Sequence, residues 1–148
     1  MQAAHARFPP LLQVARNGPV ELPHQPGPCH PGPRRRAVER RVHELGLTGS
    51  VTLLGHRADP ELIFGGADLA MITSRAEGIP GVAIEAQMAG CPVVSFPVGA
   101  IGDVVQDGVT GQLVPARAPR AMANALIKVL RDPERGAAMG QAARQRVE

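Results

Sequence analysis

Aromatic residues are nearly missing from this chain: its 148 residues include three Phe and neither Trp nor Tyr. A core must therefore be aliphatic, built from Val, Leu, Ile, Met and Ala, and no aromatic platform exists for stacking nucleic-acid bases. Cysteine is scarce too. Cys29 and Cys91 stand far apart in unrelated contexts, which excludes a disulfide framework. The Cys29-His30 pair offers only two of the ligands a zinc ion wants, so no metal site is expected. Lysine is almost replaced by arginine, fifteen to one. No apolar run approaches the roughly 20 residues that cross a bilayer, and the N-terminus lacks the basic-then-apolar order of a signal peptide. The expectation is a soluble, cytoplasmic protein.

What is present fits one compact domain. The apolar fraction is 44%, ordinary for a globular fold. The formal charge of +3 is mild, and five arginines fall between Arg34 and Arg41. With no nucleic-acid motif beside them, they read as a solvated helix face, and no nucleic-acid partner is expected.

Two textures divide the chain. Residues 1–33 hold eight of the fifteen prolines. Within them Leu11 to Ala15 could be a short strand, but Val20 to Pro33 cannot hold a helix or a central strand, because proline lacks the amide donor and fixes φ. Residues 1–33 are therefore expected to be irregular and 34–148 to be the folded domain. Arg34 to Leu45 reads as a helix with Val38, Val42 and Leu45 on one stripe, closed by Gly46. Val51 to Leu54 reads as a buried strand, and Asp59-Pro60 as the cap and first residue of a short helix. Strand Leu69 to Thr73, helix Pro80 to Ala89 closed by Gly90, strand Pro92 to Phe96, short helix Ile101 to Gln106 and strand Gly111 to Val114 follow. Then comes a helix with Met122, Leu126, Val129 and Leu130 on one face, and Asp132-Pro133 breaks it before a last helix. Apolar strands alternating with helices predict an α/β fold, a doubly wound, Rossmann-like parallel sheet.

In such a fold ligands sit at the carboxyl ends of strands, where helix N-termini point into a crevice. The segment at that place is Ser74-Arg75-Ala76-Glu77-Gly78-Ile79-Pro80-Gly81. Gly78 and Gly81 permit close backbone approach. Pro80 presets the helix start and leaves the amides of Gly81, Val82 and Ala83 to meet an anion such as a diphosphate. Glu77 and Glu85 flank that position, where carboxylates suit neutral hydroxyls, as on a sugar or ribose. Acids near a helix start also occur for plain capping reasons, so the residues alone leave both readings open.

Glu77 and Glu85 form an E-x7-E motif within EGIPGVAIE. The stretch from VTLLGHRADPE through AGCPVVSF to DGVTGQLVP closely resembles the donor-binding domain of family 4 glycosyltransferases. The likeness runs from about Arg34 to the C-terminus. It implies the C-terminal half of a GT-B fold and a retaining transfer from a nucleoside-diphosphate sugar to a glycan or lipid-linked acceptor, with no metal and no cofactor. By this resemblance Glu77 contacts the donor sugar and is the catalytic candidate. Gly78, Ile79, Pro80, Gly81 and Val82 hold sugar and phosphate, though Pro80 has no amide to give. Glu85 binds the ribose hydroxyls, and the loop from Gly55 to Arg57 lies near the base, with Arg57 as a donor-binding candidate.

The chain departs from that family in several places. Its Gly99-Ala100-Ile101-Gly102-Asp103 stands where the family has Gly-Gly-Ile-Pro-Glu; a plain helix start with Asp103 in its first turn accounts equally well for it. No strand-loop carrying the family's Arg and Lys precedes Leu11. The acceptor domain with its catalytic His, which would be the missing partner, and the returning C-terminal helix are likewise not in the sequence. The expectation is a fragment truncated at both ends and inactive alone, from a parent that could be peripheral at the inner membrane face. The proline-rich stretch reads as the scar of a frameshift rather than a tolerated insertion. Two other readings are a non-catalytic nucleotide-binding remnant and a sugar-nucleotide epimerase fragment; the E-x7-E stretch argues against the second.

Overall fold

Three of the apolar runs assemble into one parallel sheet in the order β1-β2-β3, formed by β1 (Ala70–Ile72), β2 (Val93–Ser95) and β3 (Gly111–Leu113). The computed structural model describes residues 35–147 except 56, 75–77, 116 and 117. The possible strand at 11–15 and the proline-rich stretch lie outside the described residues. The register is regular: Ala70, Met71 and Ile72 face Val93, Val94 and Ser95, which in turn face Gly111, Gln112 and Leu113.

Side chains alternate across the sheet, and this splits the core in two. On one face Ala70, Ile72 and Val93 pack with Phe64, Ala83, Ala86, Cys91, Ile101 and Val105. These come from α2 (Pro60–Gly65), α3 (Gly81–Met88), α4 (Ile101–Val104) and adjoining turns. On the other face Leu69, Val94 and Val114 pack with Met122, Ala125, Val129 and Met139, carried by α5 (Pro119–Leu130) and α6 (Pro133–Val147). A sheet covered on both faces is what near-continuous apolar strands require. Leu69, Val93, Val94 and Ile101 are fully buried, each contributing about 1.5–3 kcal/mol over exposure. The α/β doubly wound expectation is met.

Local signals account for the element ends. Gly46 (φ 65) and Gly90 (φ 74) adopt the left-handed conformation. Leu47 N–H donates to the Val42 carbonyl and Gly46 N–H to His43 after α1 (Arg35–Glu44). Cys91 and Gly90 repeat that pattern to Ala86 and Gln87 after α3. Both helices thus end in the paired bonds that satisfy their last carbonyls. Asp132 caps α6, accepting the Arg135 amide at 3.0 Å, with Pro133 at the first helical position.

Two expectations fail. Residues 51–54 form no strand, and Thr52 is exposed while its neighbours are half-buried. A strand needs a neighbour's amides and carbonyls, and the described sheet does not reach this segment. The short helix expected to run to Gln106 stops at Val104, because Val105 is extended (ψ 114) and takes the cap.

Candidate functional site

Strand β1 delivers the chain to the carboxyl edge of the sheet at Ile72, followed by exposed Thr73 and half-buried Ser74. Arg75, Ala76 and Glu77 lie outside the described residues, so the catalytic candidate has no described position. The chain resumes at Gly78 and Ile79, both exposed, Ile79 at 81%. Pro80 is buried and occupies the N-cap of α3 with φ −80 and ψ 67, one position earlier than the sequence suggested.

That conformation alters which amides remain available. Gly81 N–H donates to the Ile79 carbonyl at 2.9 Å and Ala83 N–H to the Pro80 carbonyl at 2.9 Å. Of the three amides expected to be free, Val82 alone has no partner among the described residues. The tight turn through Pro80 directs two carbonyls back onto the helix start and consumes the other two donors. No acidic side chain sits in the first turn of α3 and no side chain caps it. Among the described residues no charge therefore compensates the positive end of the helix dipole, which favours an anion there by about 0.3–1 kcal/mol.

Glu85 is exposed and lies four residues after Gly81, on the helix face opposite the buried Ala83, Ala86 and Gln87. Gly78 and Gly81 do not require glycine for backbone reasons, and a Cβ on either would meet nothing within 4 Å. The surface above them is open. At the end of the central strand Ser95 is fully buried and donates to the Phe96 carbonyl at 3.0 Å. Gly99 (φ 56) then turns the chain into α4, where Asp103 is exposed in the first turn.

Arg57 is half-buried and held by a near neighbour in the chain. Its side chain is 7% exposed and pairs with Asp59, Nε donating to Oδ1 at 2.7 Å. Asp59 occupies the N-cap of α2, but its carboxylate makes no cap bond because Arg57 takes it. The Arg57 hydrogen bond holds the Asp59 carboxyl below its ordinary value. His56 lies outside the described residues. Burial, with Asp68 nearby, pushes the Cys91 thiol up to about 12, so it stays protonated and unreactive at neutral pH.

Among the described residues no cluster of His, Cys, Asp or Glu could hold a metal ion, and no helix is long and apolar enough to cross a membrane. Two recesses of about 270 and 220 Å³ lie away from the head of α3. The first runs between β3 and α5, lined by Leu113, Asn124 and Lys128 among others. The second opens at the amino ends of the strands beside Asp68 and Pro92. Neither recess is lined by Val82 or Glu85.

Sequence reasoning missed Gln87. It is fully buried, and its Nε2 donates to Thr110 Oγ1 at 3.0 Å, an oxygen that also accepts the Gln106 amide at 2.9 Å. The Gln87 Oε1 has no partner among the described residues. The signal was available: position 87 falls on the same helical face as Ala83 and Ala86, where an apolar residue belongs.

The sequence model of the family Glycosyl transferases group 1 matches residues 27–132. The chain is similar to the D-inositol 3-phosphate glycosyltransferase of Gordonia bronchialis, 36% identical over 144 residues, which make up 94% of this chain and 31% of that protein. Among solved structures, sucrose-phosphate synthase from Thermosynechococcus elongatus superposes with a TM-score of 0.74 at 34% identity, covering 80% of this chain and 30% of its own. Anabaena HepE, solved in complex with UDP and glucose, gives 0.72 at 28% identity, covering 76% and 31%. The chain thus spans about a third of the length of these relatives.

Proposed function

Because this chain belongs to the group 1 glycosyl transferases, with their GT-B fold, we propose that it is the donor-binding part of an enzyme that transfers a sugar from a nucleoside diphosphate. The transferred group is a hexose or N-acetylhexosamine, the acceptor a glycan or lipid-linked glycan, and the configuration is retained. The single observation that carries the reading is the head of α3. There, among the described residues, the Val82 amide has no partner and no acid stands in the first turn of the helix, at the carboxyl end of β1, with Glu85 one turn behind on the open face.

The chemistry follows from those groups. Diphosphate charge is stabilised by the dipole and the Val82 amide. The Glu85 carboxylate accepts two hydroxyls, matching a ribose. Glu77, eight residues earlier, would engage the sugar, with Gly78, Ile79, Pro80 and Gly81 forming the backbone beneath it. Arg57, fixed by Asp59, would border the base. No metal or cofactor takes part in this reading, and the setting is cytoplasmic. Transfer also needs the acceptor held in line and the leaving diphosphate stabilised as charge develops. The described residues offer no cationic side chain at the head of α3 and no acceptor cleft, so the isolated chain binds donor and turns over none.

Titration calorimetry with UDP and with GDP tests this directly. Binding of one nucleotide is expected, weakened about tenfold or more in Glu85→Ala by loss of a charge-assisted hydrogen bond. Equal affinities for wild type and variant would remove the ribose assignment, and sugar transfer by the purified chain would overturn its inactivity.

A further inference from the structure

We propose that Gln87 is a positioning residue that sets the rotation of α3 and thereby aims its head at the ligand. The proposal rests on the reading of α3 as the nucleotide-binding helix. Gln87 lies six residues beyond Gly81, about 9 Å along the axis, at the end of the helix away from the proposed site.

The other fully buried side chains of α3 are those of Ala83 and Ala86, with Val82 packed against the same cluster; these are apolar contacts, which have no direction of their own. The hydrogen bond from Gln87 to Thr110 is the one side-chain hydrogen bond of α3 among the described residues. Its receiving end is rigid. Thr110 Oγ1 also accepts the Gln106 amide, Thr110 N–H donates to the Gln106 carbonyl at 3.0 Å, and the next residue, Gly111, lies so close beneath the Val93 carbonyl that no Cβ fits. The rotation of α3 is therefore referenced to β2 and β3. Val82 and Glu85 share that rigid helix, so the direction of the free amide and of the outward carboxylate follows from a contact neither of them makes. Fixing one defined orientation is a role attested for buried polar groups elsewhere.

The test compares the full chain with Gln87→Met, Thr110→Val, the double variant and Thr110→Ser, at a temperature where circular dichroism shows each to be folded. UDP affinity is expected to fall about fivefold to tenfold in each of the first two. The double variant should bind no more weakly than either single one, because the residues act as a unit. Thr110→Ser keeps the hydroxyl and should stay within about twofold of wild type. Unchanged affinity in Gln87→Met and Thr110→Val, with only a lower melting temperature, would show a purely structural contact and overturn the proposal. Should wild type bind neither UDP nor GDP, the donor-site reading fails separately. Hydrogen exchange then decides the positioning claim. Gln87→Met should speed exchange at residues 82–85 relative to α5, and equal rates would refute it.

Discussion

The helices at the two ends of the described chain teach different lessons about pattern and burial. Helix α1 has the more legible sequence, with Val38, Val42 and then Leu45 along one stripe amid arginines, yet it buries no residue and Leu45 is 52% exposed. Helix α6 has a faint pattern, but Gly136, Met139, Gly140 and Ala143 are all buried at i, i+3, i+4 and i+7. A hydrophobic stripe shows which face a helix would cover. It does not supply the surface that receives it. In α6 the small residues let backbones meet, and a Cβ at Gly140 would collide with the Gly90 carbonyl at the end of α3.

The comparison breaks most sharply at Gly140. Gly140→Ala should force α6 off α3 and cost about 3 kcal/mol, a fall in melting temperature of roughly 10 °C; a shift under a few degrees would mean the two helices can separate freely. The matching change in α1, Val42→Ala, removes a half-buried side chain and should cost under about 1 kcal/mol, read from urea midpoints. A cost like that of a core residue would show α1 to be covered after all. The smallest effect belongs to the Arg57–Asp59 pair. Its carboxyl lies below the ordinary value, so the stability it adds is fully present above the unfolded value of about 3.9 and is lost as pH falls through the lower folded one. The melting-temperature difference between wild type and Asp59→Asn should therefore exist at pH 7 and vanish on acidification below that range. A difference that persists unchanged at the acid end would mean the pair contributes nothing through its charge.

Much of the fold was legible because β-branched runs, glycine closures and proline starts each act locally. Three of the expected strands, Gly46, Gly90 and Pro133 stand where those rules put them. The run at 51–54 misled because a strand's existence depends on a neighbour that no local pattern names. At the candidate site the strand-to-helix turn at Pro80 was legible, whereas Glu77 lies outside the described residues. The fine geometry of the turn was not legible. That Pro80 would cap rather than begin α3, leaving one free amide instead of three, depends on a ψ angle no residue type dictates. Gln87 escaped notice because a polar residue on an apolar face reads as an irregularity until its partner, 23 residues away, is known.

The central claim is that nucleoside diphosphate meets the chain at the head of α3. Amide spectra of the isotopically labelled protein, recorded while UDP and then GDP are added, test it most directly. The account predicts that the largest shifts fall on Gly78, Gly81, Val82 and their neighbours through Glu85, while α1 and α5 stay still. Saturable shifts centred on another element, or no shifts with either nucleotide, would contradict it.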